Sequence, residues 1–248
     1  MLYAQPPEIL DLADCSFYHS LDLSSGSVVG AWDLRATIDA YLGNYNFTGK
    51  RALDVGTAGG HLAFAMEQRG AREVVAFEMA SSAQWDLLPI DPESRALVQA
   101  NRLNGLRKIR NGFWYAHREL GSKVLRIEGD LYDFPPEIGD FDVAIFGMIL
   151  PHLRDPFRAL EAIAPRTNAI IITQQMLGGS GRMAHFIPTK DQRGSNDNWW
   201  VFTQDCFEAM LGILAFEITG AVTEEHFSPI RGNSEPCTAL VAERVRTR

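Results

Sequence analysis

The chain has no apolar run approaching the ~20 residues that a membrane-spanning helix needs. Residues 1–10 show no basic stretch followed by an apolar one, so no secretory signal and a cytoplasmic location are expected. Cysteine is scarce. Cys15, Cys206 and Cys237 lie far apart in no C-x-x-C or Cys/His spacing, which argues against a disulfide framework or a thiolate metal site and fits reduced thiols. Basic residues are outnumbered, 23 Lys and Arg against 31 Asp and Glu, for a formal net charge of −8. Proteins that grip nucleic acid usually carry a basic footprint, so the balance disfavours nucleic acid and points to a small-molecule substrate. The cluster Arg102, Arg107, Lys108 and Arg110 reads first as a solvated helix face. Asp33 and Asp142 belong to no paired-acid constellation that would fix a hard cation, so no metal is expected. No membrane contact is expected, and the sequence leaves a homo-oligomer open.

What is present is an ordinary globular balance, 46% apolar and 22% charged, in 248 residues, enough for one domain over 1–248 with a substantial core. Apolar runs at 51–56, 73–79, 124–130, 141–148 and 169–176 read as strands buried on both faces, the pattern of central parallel strands. Segments 218–227 and 238–245 are candidates for closing strands. Helices are expected at 62–69, at 92–103 behind Asp91 and Pro92, at 111–120, at 157–164 behind Asp155 and Pro156, and at 204–214 behind Thr203. This alternation predicts an α/β fold: a Rossmann-like, doubly wound, mostly parallel sheet. Three stretches break the rhythm. Residues 1–50 form a lead-in or cap with a short helix at 33–42. Residues 80–123 make a long link between the second and third strands. Residues 177–202, rich in Gly, Ser and Asn, suggest a lid or substrate-side loop.

The most informative run is Leu53-Asp54-Val55-Gly56-Thr57-Ala58-Gly59-Gly60-His61, where the first strand hands over to a helix. Glycine there permits a tight turn and close backbone approach to a ligand. Helix N-terminal amides supply donors for an anionic group such as an amino-acid carboxylate. The dinucleotide fingerprint G-x-G-x-x-G fails, since Ala58 and His61 stand where its second and third glycines belong. Two more acids close successive strands: Glu78, placed to accept ribose hydroxyl protons, and Asp130.

Asp54, Gly56 and Gly60 resemble motif I of the class I S-adenosyl-L-methionine (SAM) methyltransferases, with Ala58 in place of the usual middle glycine. The resemblance implies SAM as cofactor. It implies a cradle of Asp54, Gly56, Thr57, Ala58, Gly60, Glu78, Met79, Asp130, Leu131 and Gly147, with Asp130 accepting from the adenine amino group. Phe141-Asp142-Val143 with Gly147-Met148-Ile149-Leu150-Pro151-His152-Leu153-Arg154-Asp155-Pro156 is similar to the fourth-strand motif of one subgroup. That subgroup contains the tRNA wobble-hydroxyuridine (carboxy)methyltransferases and related natural-product methyltransferases. Trp32-Asp33-Leu34-Arg35 and the run 198–203 extend the likeness over roughly 15–215. Pro151 replaces the tyrosine of the wobble-uridine enzymes, and the basic residues they use for a carboxylated cofactor are not evident, so ordinary SAM is implied.

Methyl transfer to a hydroxyl needs alignment and a proton acceptor. His152, after the fourth strand, is the expected general base; its competing reading is a histidine bonded to backbone ahead of a helix. Tyr18, His19, Trp32, Trp199 and Trp200 are expected substrate-wall residues, with packing of the lid as the alternative. The expected activity is methyl transfer to a hydroxyl or amine of a small molecule, in secondary metabolism. A tRNA wobble-uridine enzyme and a non-methylating SAM binder are the rivals.

Overall fold

Residues 51–55, 141–147 and 167–174 alternate between two cores, and that alternation builds the sheet. In the computed structural model, which describes residues 2–7, 11–81, 84–88, 91–189 and 198–245, Ala52, Val143, Ile145 and Ile171 enter one apolar cluster. Their neighbours Leu53, Ala144, Phe146 and Ile172 enter the other. Strands buried on both faces need cover on both, and helices supply it.

Two short strands, β1 (Leu21–Leu23) and β2 (Gly26–Val28), pair as an antiparallel hairpin in the lead-in. The one-turn helix α1 (Ile38–Tyr41) follows. Then come β3 (Arg51–Val55), α2 (His61–Gln68), β4 (Glu73–Met79), α3 (Pro92–Glu119), β5 (Leu125–Gly129), β6 (Phe141–Gly147), α4 (Pro156–Ile163) and β7 (Thr167–Gln174). A small hairpin of β8 (Ala184–Phe186) and β9 (Trp200–Phe202) precedes α5 (Gln204–Ile213), β10 (Phe216–Ser228) and β11 (Asn233–Arg244). The main sheet runs β10-β11-β7-β6-β3-β4-β5. The five strands from β7 to β5 are parallel; β11 is antiparallel to both β7 and β10. From β3 the chain winds outward to β4 and β5, then returns to β6 on the other side. Such a reversal opens a crevice at the carboxyl ends of β3 and β6.

Three expectations are corrected. The helices expected at 92–103 and 111–120 are one helix, α3. Asn104 and Gly105 fall in the expected gap, but one exposed glycine costs an established helix only about 1 kcal/mol. Asp91 caps α3 as expected, accepting from the Ser94 amide at 2.8 Å. Much of the 80–123 link is therefore helix. The helix expected at 33–42 shrinks to Ile38–Tyr41, because the Asp33 amide is taken by the Phe227 carbonyl at 2.8 Å in a bridge to β10. Of the expected loop 177–202, residues 190–197 lie outside the described residues. No described helix is long and apolar enough to cross a membrane.

Phe146, fully buried in the middle of the sheet, tests this packing. Phe146→Ala should destabilise the chain by about 3–5 kcal/mol, read as a lower urea midpoint with unchanged slope.

Candidate functional site

Four parallel strands end at the crevice and each delivers part of a site. After β3 the chain turns sharply, with Gly56, Ala58 and Gly60 at φ 74°, 46° and 85°. Both the Gly56 and Thr57 amides donate to the Phe77 carbonyl of β4, at 2.9 and 3.0 Å. Gly60 is the N-cap of α2; a Cβ there would lie 2.6–2.7 Å from the Phe113 and Phe64 rings, so no other residue fits without displacing them.

Glu78, at the end of β4, accepts from the Ala58 amide at 2.7 Å and from the Met79 amide at 3.0 Å. Arg126 of β5, 2% exposed, donates to the Ala58 carbonyl at 3.4 Å and to Glu128 at 3.0 Å. Its guanidinium lies 4.6 Å from the centre of the Phe113 ring. Arg110 of α3 reaches the same Glu128 oxygen at 2.8 Å. One residue of the turn, Ala58, is thus held at its N–H by a carboxylate and at its carbonyl by a buried guanidinium, so both peptide units that flank its Cα are fixed.

Asp54 lies fully buried on the α2 side of β3. The Thr57 hydroxyl donates to its Oδ2 at 2.7 Å, while Oδ1 has no partner among the described residues. Burial pushes its carboxyl up to about 7, against the opposing pull of the Thr57 hydrogen bond. At the end of β5, Asp130 accepts from the Tyr132 amide at 2.9 Å and caps the short 3-10 turn Leu131–Asp133.

Two pockets meet at Gly56, which lines both. One is walled by Glu78, Met79, Asp130, Leu131 and Tyr132. The other is walled by Thr57, Ala58 and Gly147 from strand ends, by Tyr18, His19 and Trp32 from the lead-in, and by Tyr41, His226 and Cys237. Gly147 lets the wall close: a Cβ on it would stand 2.5 Å from the Leu62 side chain. Burial holds the His19 and His226 imidazoles below their usual range and lifts the Tyr41 hydroxyl. It also pushes the Cys237 thiol up to about 12.

Among solved structures, the N-terminal domain of EvdMO1, determined with SAH and D-fucose, matches 95% of this chain and 93% of that one, at TM-score 0.52 and 15% identity. The Burkholderia thailandensis 1,6-didemethyltoxoflavin-N1-methyltransferase, determined with 1,6-didemethyltoxoflavin and S-adenosylhomocysteine, matches 85% of this chain and 76% of that one, at TM-score 0.50 and 18% identity. The chain has their fold. By sequence, it is 35% identical over 100 residues to Protein arginine N-methyltransferase PRMT10 of Arabidopsis thaliana, a match spanning 38% of this chain and 22% of that protein. No protein-family model matches the chain.

Most of the residues singled out from the sequence come together. Gly56, Glu78, Met79, Asp130 and Leu131 line one pocket. Thr57, Ala58, Gly147, Tyr18, His19 and Trp32 line the other. Asp54 and Gly60 line neither and act within the turn itself. His152, Trp199 and Trp200 also line neither. His152 ends the 3-10 turn Leu150–His152 after β6. Trp199 donates to the Asp86 carbonyl at 2.7 Å and Trp200 to the Arg154 carbonyl at 3.2 Å. The two indoles therefore tie the start of β9 to Asp86 and Arg154, and the Trp199 amide donates to the Pro151 carbonyl of that turn at 2.7 Å. Asp86 is the staple, since its carboxylate also takes the Tyr132 hydroxyl at 2.5 Å and the Arg154 amide at 2.7 Å. Sequence reasoning missed Tyr41, His226 and Cys237. Tyr41 sits in a helix one turn long, and the other two lie on strands that reach the crevice only through pairing.

Asp54→Asn tests the buried acid. A carboxyl whose folded pKa is raised favours folding while protonated, and that advantage is lost as pH rises from about 4 to about 7. The variant should therefore gain melting temperature over the parent chain at pH 8 relative to pH 5. An equal difference at both pH values would show that Asp54 does not titrate abnormally.

Proposed function

We propose that the protein is a SAM-dependent methyltransferase acting on a small molecule. The observation that carries the reading is the convergence of three acids from successive strand ends, Asp54, Glu78 and Asp130, on one turn and its crevice. The fold shared with the 1,6-didemethyltoxoflavin-N1-methyltransferase and the N-terminal domain of EvdMO1 supports it.

The residues present fit such a cofactor. Glu78 uses each carboxylate oxygen once, for the Ala58 and Met79 amides, and each keeps a second lone-pair direction for a ribose hydroxyl. Asp130 and Leu131 stand at the far side of the same pocket, suited to an adenine edge. Asp54 takes the Thr57 hydroxyl and so orders the turn whose Thr57 and Ala58 line the second pocket. Bound SAM supplies an electrophilic methyl group on sulfonium sulfur. The chain's own task is to hold the acceptor in line with it, exclude water and accept a proton.

The second pocket, which shares Gly56 with the first, supports a small-molecule acceptor, a hydroxyl or amine, over tRNA. Among the described residues no Asp, Glu, Lys or Arg lines it. The net charge of −8 also opposes the phosphate contacts that tRNA binding requires. Secondary metabolism is the setting the resemblance suggests.

Titration calorimetry tests the reading. SAM or S-adenosylhomocysteine should bind the parent chain, and Glu78→Ala should weaken binding by about 1–3 kcal/mol through the lost charged acceptor. No heat from either ligand would overturn the proposal.

A further inference from the structure

The acceptor pocket contains buried polar atoms that the fold itself leaves unused. His226 on β10 is 1% exposed and lines the pocket. Its Nδ1 lies 2.7 Å from the Thr37 hydroxyl, and its ring packs edge-on against Tyr41 with centroids 5.1 Å apart. Its Nε2 is buried with no hydrogen-bond partner among the described residues. An unpaired imidazole nitrogen in a protein interior costs free energy comparable to a lost hydrogen bond, so it is a place for a ligand group. His19, across the pocket, has an unpartnered Nδ1 as well and stacks on His61 at 5.2 Å.

The rest of the wall defines what fits. Tyr18, Trp32 and Tyr41 are aromatic, which suits a planar acceptor. With no charged side chain lining the pocket, an ionic acceptor would enter without a counter-charge.

We infer that the acceptor is an uncharged, planar aromatic hydroxyl compound and that His226 is the residue that receives its proton. This deepens the methyltransferase reading and rests on it. The hydroxyl donates to Nε2 in the resting complex. As transfer proceeds, the acceptor oxygen forms a bond to the methyl carbon. The carbon–sulfur bond breaks with its electron pair going to sulfur, and the hydroxyl proton passes to Nε2. The sulfonium charge ends on the imidazolium, and the products are an aryl methyl ether and a neutral thioether. Thr37 is the positioning residue: its bond to Nδ1 fixes the ring, and with Nδ1 as the protonated nitrogen Nε2 carries the lone pair.

The surroundings suit a neutral base. Burial keeps the His226 imidazole uncharged near neutrality, while Glu224 on the same strand opposes that effect. Glu235, its cross-strand neighbour, is paired with Arg231 at 2.5 Å and with the Gln175 amide. Tyr41 and Cys237, in the same pocket wall, are held protonated by burial, and burial keeps His19 uncharged.

The test uses 4-nitrophenol and its methyl ether 4-nitroanisole as probes, titrated at mildly acidic pH into protein saturated with S-adenosylhomocysteine. The parent chain should bind the phenol roughly tenfold tighter than the ether, the worth of one hydrogen bond. In His226→Ala the preference should vanish while S-adenosylhomocysteine affinity stays within about twofold. His226→Gln, whose amide oxygen accepts a hydrogen bond but takes up no proton, should keep the preference. It should also lose the ~100-fold or more of 4-nitroanisole formation that a base contributes. If S-adenosylhomocysteine binds but the phenol does not, or its preference survives in His226→Ala, the inference about His226 is overturned. If S-adenosylhomocysteine itself fails to bind, the methyltransferase reading falls first.

Discussion

Ala58, gripped at its N–H by Glu78 and at its carbonyl by Arg126, is the constraint on which the site depends. Ala58 is not glycine yet sits at φ 46°, a conformation that costs an L-residue on the order of 1 kcal/mol or more. Hydrogen bonds to charged groups are strong enough to offset that strain. The grip then propagates. Arg126 lies against the Phe113 ring and shares Glu128 with Arg110, so α3 is tied to the underside of the turn. Gly60 closes the same contact from above, against Phe113 and Phe64. Turn, β4, β5 and α3 are therefore one mechanical unit, though its four members belong to separate stretches of sequence.

Much of this was legible in the sequence because central parallel strands write their burial directly into composition. Residues 51–55, 73–79 and 141–147 are nearly continuous apolar runs, and the acids that end two of them stand out by contrast. The helix starts at Asp91, Asp155 and Thr203 were equally readable, since a capping side chain acts on amides two or three residues away. What failed were features set by distant partners. The lead-in helix lost its first half to a bridge with Phe227, roughly 190 residues on. The long helix α3 hid behind Asn104 and Gly105, because only residues 112–116 of it are buried and its exposed half carries no apolar stripe to read.

The same contrast governs the site. The pocket of Glu78 and Asp130 is made of strand ends consecutive in the winding order, so motif spacing finds it. The neighbouring pocket is assembled from the lead-in, α1, β10 and β11, and no local pattern joins Tyr41 to His226. His152 drew notice from its place in a motif; its segment forms a 3-10 turn whose Pro151 carbonyl accepts from the Trp199 amide, with Arg154 just beyond it donating to Asp86. Motif residues of one strand end thus serve to seat a hairpin, while unmarked residues of another line the cavity.

Cys237 shares that cavity, and a thiol is ordinarily the best soft nucleophile a protein possesses. Only the thiolate attacks readily, and desolvation here holds the group protonated to about pH 12. Under the proposed methyl transfer, a wall facing an alkylating donor would thereby include a sulfur that stays inert, protected from being capped in place of the guest molecule.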